Sequence, residues 1–334
     1  MRKVLITGTA GFIGYHLAQL LLAEGMAVHG YDAFTDYYDV TLKQARHARL
    51  ARTNAFTSTL GRVEDLALLT RVTQDFAPDV IVHLAAQAGV RYSLENPQSY
   101  IESNVVGTFN VLECARLAQV SHLVLSSTSS VYGGNTAMPF RETDKADQPL
   151  TIYAATKKAG EALSHSYAHL WGIPTTAVRF FTVYGPWGRP DMALFKFTRA
   201  MLEGNPVEIY NGGDLYRDFT YVSDLVEAIR LLIDVPPRKG EPVAGNDSLS
   251  EVAPYRVVNI GNSEKVRLLD FIDALEEALG VKAVRHYMEM QKGDVFATWA
   301  DNSLLKSLTG FSPTTDYRTG VRHFTNWYHD YYRA

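Results

Sequence analysis

The sequence predicts a doubly wound α/β protein: a parallel sheet with helices on both faces, followed by a smaller C-terminal α/β lobe. Three observations carry this. From Lys3 to about Phe181, short apolar runs alternate with longer amphipathic segments, the pattern of repeated βα units. A glycine-rich turn from Gly8 to Gly14 stands between the first apolar run and the first helical segment. After Phe181 the pattern loosens, and Pro and Gly punctuate shorter elements.

The strand candidates are Val4–Thr7, Ala27–Tyr31, Phe56–Thr59, Val80–Leu84, His122–Ser126 and Thr175–Phe180. Between them a helical period is readable in Ile101, Val105 and Leu112, and again in Ile152, Ala159, Leu163, Tyr167 and Leu170. Pro236, Pro237, Gly240, Pro242 and Gly245 mark 235–255 as a long mobile loop ahead of a strand at Arg256–Ile260. The expected division is 1–181 for a dinucleotide-binding domain and 182–334 for a second lobe, some of whose elements return to the first.

The composition, 334 residues with 46% hydrophobic and 20% charged, allows a large core. A net charge of -4 provides no global basic field for nucleic acid or an anionic membrane, so an anionic substrate must meet local positive charge. The one cysteine, Cys114, sits among Val111, Leu112 and Ala115 like a small core hydrophobe, which favours a reducing compartment. Met1 leads directly into an apolar strand, with no signal-peptide pattern and no run long enough to cross a bilayer. A cytoplasmic protein without a metal site is expected.

In Gly8-Thr9-Ala10-Gly11-Phe12-Ile13-Gly14, glycine lets the backbone turn tightly and approach a pyrophosphate seated on the helix N-terminus. Asp32 closes the second strand 18 residues after Gly14, where a carboxylate accepts from the adenosine ribose hydroxyls and repels a 2'-phosphate. The pair predicts a Rossmann domain that binds NAD in preference to NADP. Tyr153 and Lys157, at i and i+4, share one helical face, where a nearby ammonium can lower the tyrosine's pKa for acid/base work. Upstream, Ser126-Ser127-Thr128-Ser129-Ser130-Val131-Tyr132-Gly133 ends a strand at the carboxyl edge, where open α/β sheets bind ligands.

In this order the motifs resemble the extended short-chain dehydrogenase/reductase family, and within it the nucleotide-sugar 4-epimerases. The resemblance covers nearly the whole chain and includes His83-Leu84-Ala85-Ala86, Arg217-Asp218-Phe219-Thr220-Tyr221-Val222 and Gly293-Asp294. Asp36-Tyr37-Tyr38-Asp39, the stretch Ala85–Ser93 and the stretch Arg179–Asp191 resemble the UDP-glucuronate 4-epimerases more narrowly. The resemblance implies that Thr128, Tyr153 and Lys157 are the catalytic trio. It places Gly8, Gly11, Phe12, Ile13, Gly14, Asp32, Lys43, Leu84, Ala85, Ala86 and Phe180 at NAD together with Tyr153 and Lys157. Relatives pair the helix from about Pro97 with the Tyr153 helix into a four-helix bundle, so a homodimer is expected.

The implied chemistry is epimerisation at C4 of a UDP-sugar through a 4-keto intermediate on tightly bound NAD. In a uronic acid that intermediate is a β-keto acid, primed to lose carbon dioxide, so its carboxylate must be held still. The family pattern assigns this to Ser129, Ser130, Thr182 and Arg189, while Thr128 meets the substrate at its reacting oxygen. It assigns Arg217 to the pyrophosphate as a planar donor fork, and Gln291 and Asp294 to the ribose or phosphates. Related decarboxylases and dehydratases resemble one another in carrying a carboxylate in the hydroxyl run, whereas this chain has Thr128-Ser129-Ser130. A UDP-glucuronate decarboxylase, a neutral-sugar 4-epimerase and a non-catalytic NAD-sensing protein are the rival readings. One departure concerns Gly61-Arg62-Val63-Glu64-Asp65, where the family commonly has Gly-Asp-x-x-Asp. Arg62 cannot accept from an adenine amino group, which leaves stacking on its guanidinium as one arrangement.

Overall fold

The inner apolar runs become strands covered on both faces, which is why Val4–Ile6, Val80–Val82 and Leu123–Leu125 read as continuous Val/Ile/Leu stretches and not as alternating ones. The computed structural model describes residues 1–243, 245–291 and 293–332. Its centre is a seven-stranded sheet of β1 (Lys3–Thr7), β2 (Ala27–Asp32), β3 (Phe56–Leu60), β4 (Val80–His83), β5 (His122–Thr128), β6 (Thr175–Phe180) and an edge strand, Tyr255–Ile260. The order is edge strand, β6, β5, β4, β1, β2, β3, and every pairing is parallel. Every residue of β4, β5 and β6 is buried. From β1 the chain winds outward through β2 and β3, then crosses back to β4, so the order reverses between β1 and β4. The crevice beyond their carboxyl ends is where this architecture binds ligands.

Helix α1 (Phe12–Ala23) follows Gly11, which caps it without a side chain, so its first-turn N–H groups remain available to a ligand. Helices α2 (Val40–Leu50) and α3 (Leu66–Phe76) are capped by the carboxylates of Asp39 and Asp65, which accept from Thr41 N and Leu68 N. The helix expected from Pro97 runs to Ala118, but Ile101–Val106 is a π-turn between α-helical stretches Pro97–Tyr100 and Gly107–Ala118. The helix Ile152–Trp171 starts from Thr151, whose hydroxyl accepts from Ala154 N, and ends at left-handed Gly172.

Beyond Phe181 the chain builds small two- and three-stranded sheets, pairing Pro206–Tyr210 with Val284–Met288 and Tyr216–Arg217 with both Val266–Arg267 and Ala297–Thr298. The helix Val222–Ile233 returns to bury Leu225, Ile229 and Leu232 in the same core as Leu17 and Leu21 of α1. The described residues of 235–254 form a loop, as expected, with Tyr255 already in the edge strand, but the second half of the loop is fastened. Arg256 Nε and Nη2 donate to the two oxygens of Asp247 at 2.8 and 2.9 Å, both side chains are almost fully buried, and Val257 N donates to Ser248 Oγ. The expectation of mobility is corrected there, because a buried bidentate ion pair opposes opening. Among the described residues no helix is long and apolar enough to cross a membrane.

Candidate functional site

A cavity of about 460 Å³ opens over the carboxyl ends of β1, β4, β5 and β6 and extends beneath the C-terminal lobe. Its first wall is the glycine turn. Gly8 has φ +86°, and a Cβ on it would lie 2.8 Å from Ala85 N; a Cβ on Gly14 would lie 2.1 Å from Gly8 O. Only glycine lets β1, α1 and the Leu84–Ala86 loop close on one another here. Asp32 stands at the end of β2, where its two oxygens accept from Ala10 N at 2.9 Å and Phe34 N at 2.8 Å. Each oxygen keeps a second lone pair for another donor. Glycine backbone, helix terminus and carboxylate thus fit a dinucleotide: pyrophosphate on α1, ribose on Asp32. Lys43 Nζ is held by Thr35 O and Oγ1 over the Tyr38 ring, and Arg62 lies on the wall past β3, where Nη2 donates to Glu64 Oε1 at 3.1 Å.

Tyr153 and Lys157 reach the cavity from one face of their helix, opposite Thr128 at the end of β5. Lys157 Nζ donates to Ser126 Oγ at 3.0 Å. Burial brings Lys157 down to about 8, with Glu161 one turn further on opposing the shift. The expected lowering of Tyr153 is not what the geometry yields. Burial raises the phenol above its ordinary value, and a hydrogen bond to Thr128 and the charge of Arg189 only partly offset it. The physical reason is depth: both groups sit at the cavity floor, where desolvation penalises each charged form. Under the floor, Glu161 accepts from Ser127 Oγ, from Arg179 Nε and Nη2, and from Lys158 Nζ, which holds its carboxylate ionised despite burial.

The substrate half is arranged around the hydroxyl run. Thr128 Oγ1 accepts from Ser130 N and donates to Ser130 Oγ, and Ser129, Ser130, Thr182 and Arg189 all border the same space. Arg189 does not present a free fork, because Nε and Nη2 donate to Asp191 at 3.0 and 2.5 Å, leaving the Nη1 edge. Arg217 lies across the cavity, with Nη1 anchored on Tyr216 O and Phe296 O. Burial pushes its guanidinium below the usual value, and Asp294 offsets part of that. Asp294 borders the cavity and pairs with Arg91 at 3.4 Å. Gln291 is not among the residues that border the cavity, and its carbonyl accepts from Asp294 N at 3.1 Å, so it stands beside one that does. Lys292, between them in the motif, lies outside the described residues.

Four further residues were not singled out by role. Ser126 anchors Lys157. Asn104, turned inward by the π-turn, accepts from Gln87 N and donates to Gln87 O and to Thr156 Oγ1, joining the cavity loop to the Tyr153 helix. Tyr37 and Asp191 meet beside Arg189. Tyr37, Ser126 and Asp191 lay inside quoted motifs; Asn104 carried no signal beyond being polar on an apolar helix.

The family model for the NAD dependent epimerase/dehydratase family matches residues 4–261. A probable UDP-glucuronate 4-epimerase of Rhizobium meliloti is 53% identical over 334 residues, covering 99% of this chain and 98% of that protein. UDP-glucuronate 4-epimerase 1 of Arabidopsis thaliana is 46% identical, covering 99% and 77%. The crystal structure of UDP-glucuronic acid 4-epimerase from Bacillus cereus, in complex with UDP-glucuronic acid and NAD, is 33% identical with a TM-score of 0.88, covering 99% and 100%. By sequence, sheet order and cavity alike, the chain belongs to the NAD dependent epimerase/dehydratase family.

Proposed function

We propose that this protein is an NAD-dependent UDP-glucuronate 4-epimerase, interconverting UDP-glucuronate and UDP-galacturonate. The observation that carries the reading is the single cavity in which Tyr153, Lys157 and Thr128 face the carboxylate-free hydroxyls of Ser129, Ser130 and Thr182, with Arg189 beside them.

In this reading residues 1–181 hold NAD, through Gly8, Gly11, Phe12, Ile13, Gly14, Asp32, Lys43, Leu84, Ala85, Ala86 and Phe180, and residues 182–334 supply most of the nucleotide-sugar contacts. Bound NAD supplies reversible hydride chemistry at sugar C4, so that a 4-keto sugar forms and is reduced on its other face without net redox change. Tyr153 accepts the proton of the sugar 4-hydroxyl and later returns it. Lys157, fixed by Ser126, stays largely protonated near neutral pH and favours the phenolate electrostatically. Thr128 shares the reacting oxygen. Ser129, Ser130 and Thr182 donate to the sugar carboxylate with Arg189, keeping the carboxylate bond out of alignment with the ketone. Arg217, a part-buried cation whose charge Asp294 offsets only in part, suits the diphosphate.

A homodimer belongs to the same reading, supported by exposed Ile101, Val106 and Phe109 on the 97–118 helix and Leu170 and Trp171 on the Tyr153 helix. So does a reducing, cytoplasmic setting, supported by the buried free thiol of Cys114. The test is incubation of pure protein and NAD with UDP-glucuronate, followed by NMR. UDP-galacturonate is expected; UDP-pentose with carbon dioxide as the main product, or turnover of neutral UDP-sugars alone, would replace the reading.

A further inference from the structure

Asp36–Asp39, Ala85–Ser93 and Arg179–Asp191 are three segments far apart in the chain, yet they converge on one cluster. The Tyr37 hydroxyl donates to Asp191 Oδ2 at 3.1 Å, and Asp191 takes the Nε and Nη2 edge of Arg189. The Tyr37 ring lies 6.0 Å from the Arg189 guanidinium and packs on Tyr92 at 4.8 Å. Gly89 has φ +105°, and a Cβ there would stand 2.5 Å from the Tyr37 hydroxyl, so glycine is what lets the third loop close. Tyr37, Gly89 and Arg189 border the cavity, whereas Asp191 does not. Asp191 therefore backs the arginine and is set away from the space a substrate enters.

We propose that Asp191, itself held by the Tyr37 hydroxyl, is a positioning residue that aims the Arg189 guanidinium at the sugar carboxylate and so helps to select a uronate over a neutral sugar. This rests on the UDP-glucuronate reading above. An unrestrained arginine loses rotamer entropy on engaging a ligand, and a guanidinium already locked by a bidentate carboxylate does not lose it again. The pair is ionic: burial pushes the Asp191 carboxyl up, but Arg189 and the Tyr37 hydroxyl together outweigh it and hold it below its ordinary value. The bridge also ties the loop after Asp32, in the cofactor half, to the loop carrying Arg189, in the substrate half.

The test compares wild type, Asp191→Asn and Tyr37→Phe for calorimetric affinity toward UDP-glucuronate and toward UDP-glucose, retained NAD, and the NMR ratio of UDP-pentose to UDP-galacturonate. Asp191→Asn should weaken UDP-glucuronate by about tenfold while leaving UDP-glucose within about twofold. Its UDP-pentose share should rise, with NAD content unchanged, and Tyr37→Phe should move the same quantities less far. Unchanged uronate affinity and product ratio, or equal losses for both sugars, would overturn the proposal. Tighter binding of UDP-glucuronate by Asp191→Asn would overturn it as well, since Asp191 would then be a competitor for the arginine. Should Asp191→Asn not fold, Tyr37→Phe decides by the same criteria. A wild type that binds UDP-glucuronate without epimerising it removes the functional reading, while the affinities still decide the role of Asp191.

Discussion

Lys157 Nζ donates to Ser126 Oγ at 3.0 Å, and both groups are buried at the carboxyl end of β5. The lysine is thereby fixed with its charge inside the cavity, and burial has lowered it to about 8. The ammonium is present below that pH and lost above it, so kcat/KM should fall along an alkaline limb near pH 8. Lys157→Arg keeps the charge at every accessible pH and should abolish the limb while lowering the rate. A limb that survives the substitution at the same pH belongs to another group.

Tyr153→Phe removes the hydroxyl proposed for proton transfer and little else, because the ring already packs edge-on against Tyr100. Turnover should drop by roughly 10²–10⁴-fold, with retained NAD and thermal midpoint close to wild type. Turnover within a few-fold of wild type would exclude Tyr153 as the acid/base.

Glu142 offers a stability test away from the chemistry. Its buried carboxyl, whose Oε1 accepts from Asn259 N at 2.9 Å, is raised by desolvation from 4.5 to about 7. A raised carboxyl binds its proton more tightly folded than unfolded, so its contribution is present below pH 4.5 and is lost as pH rises toward 7. Glu142→Gln keeps an acceptor without the charge. Its thermal midpoint should gain on wild type between pH 5 and pH 8, and a constant difference across that range would contradict the shift.

Light scattering at micromolar concentration should give a dimer mass. Phe109, 41% exposed on the 97–118 helix, is a test position. Phe109→Asp should shift the mass toward monomer, since a charge in an apolar interface is left unpaired. A monomeric wild type would sink the expectation.

The sheet was legible because its signals are local: all six predicted strands of the first half are observed with ends displaced by two residues or fewer, and the glycine turn needs no partner to be recognised. Tyr153 and Lys157 were legible because a helix fixes their relation. What the chain order hides is any property set by several loops at once. The raised phenol of Tyr153 depends on its burial, and the setting of Arg189 on Asp191, which also accepts from the Tyr37 hydroxyl of a loop 154 residues away. The π-turn at Ile101–Val106 is not legible either, since the bonds of its Asn104 to Gln87 join residues 17 apart in the chain.

Arg189 gives the prediction that best separates a glucuronate epimerase from its relatives. Wild-type protein with bound NAD, given UDP-glucuronate, should yield UDP-galacturonate with no accumulated NADH and almost no carbon dioxide. The 4-keto uronate loses carbon dioxide when its carboxylate bond lies parallel to the ketone π system, so a donor that holds the carboxylate aside suppresses that loss. If Arg189 holds the carboxylate as proposed, replacing it by Gln removes a charge-assisted hydrogen bond of roughly 1.5–3 kcal/mol, which corresponds to about ten- to over a hundredfold in affinity. Affinity alone does not test the mechanism, because Arg189 is also the partner of Asp191 and its loss disturbs that loop. The discriminating quantity is the fraction of 4-keto-pentose and UDP-pentose at matched turnover. It should rise in Arg189→Gln if the guanidinium orients the carboxylate, whereas an arginine that only braces the loop would lower both products together and leave the ratio as it was.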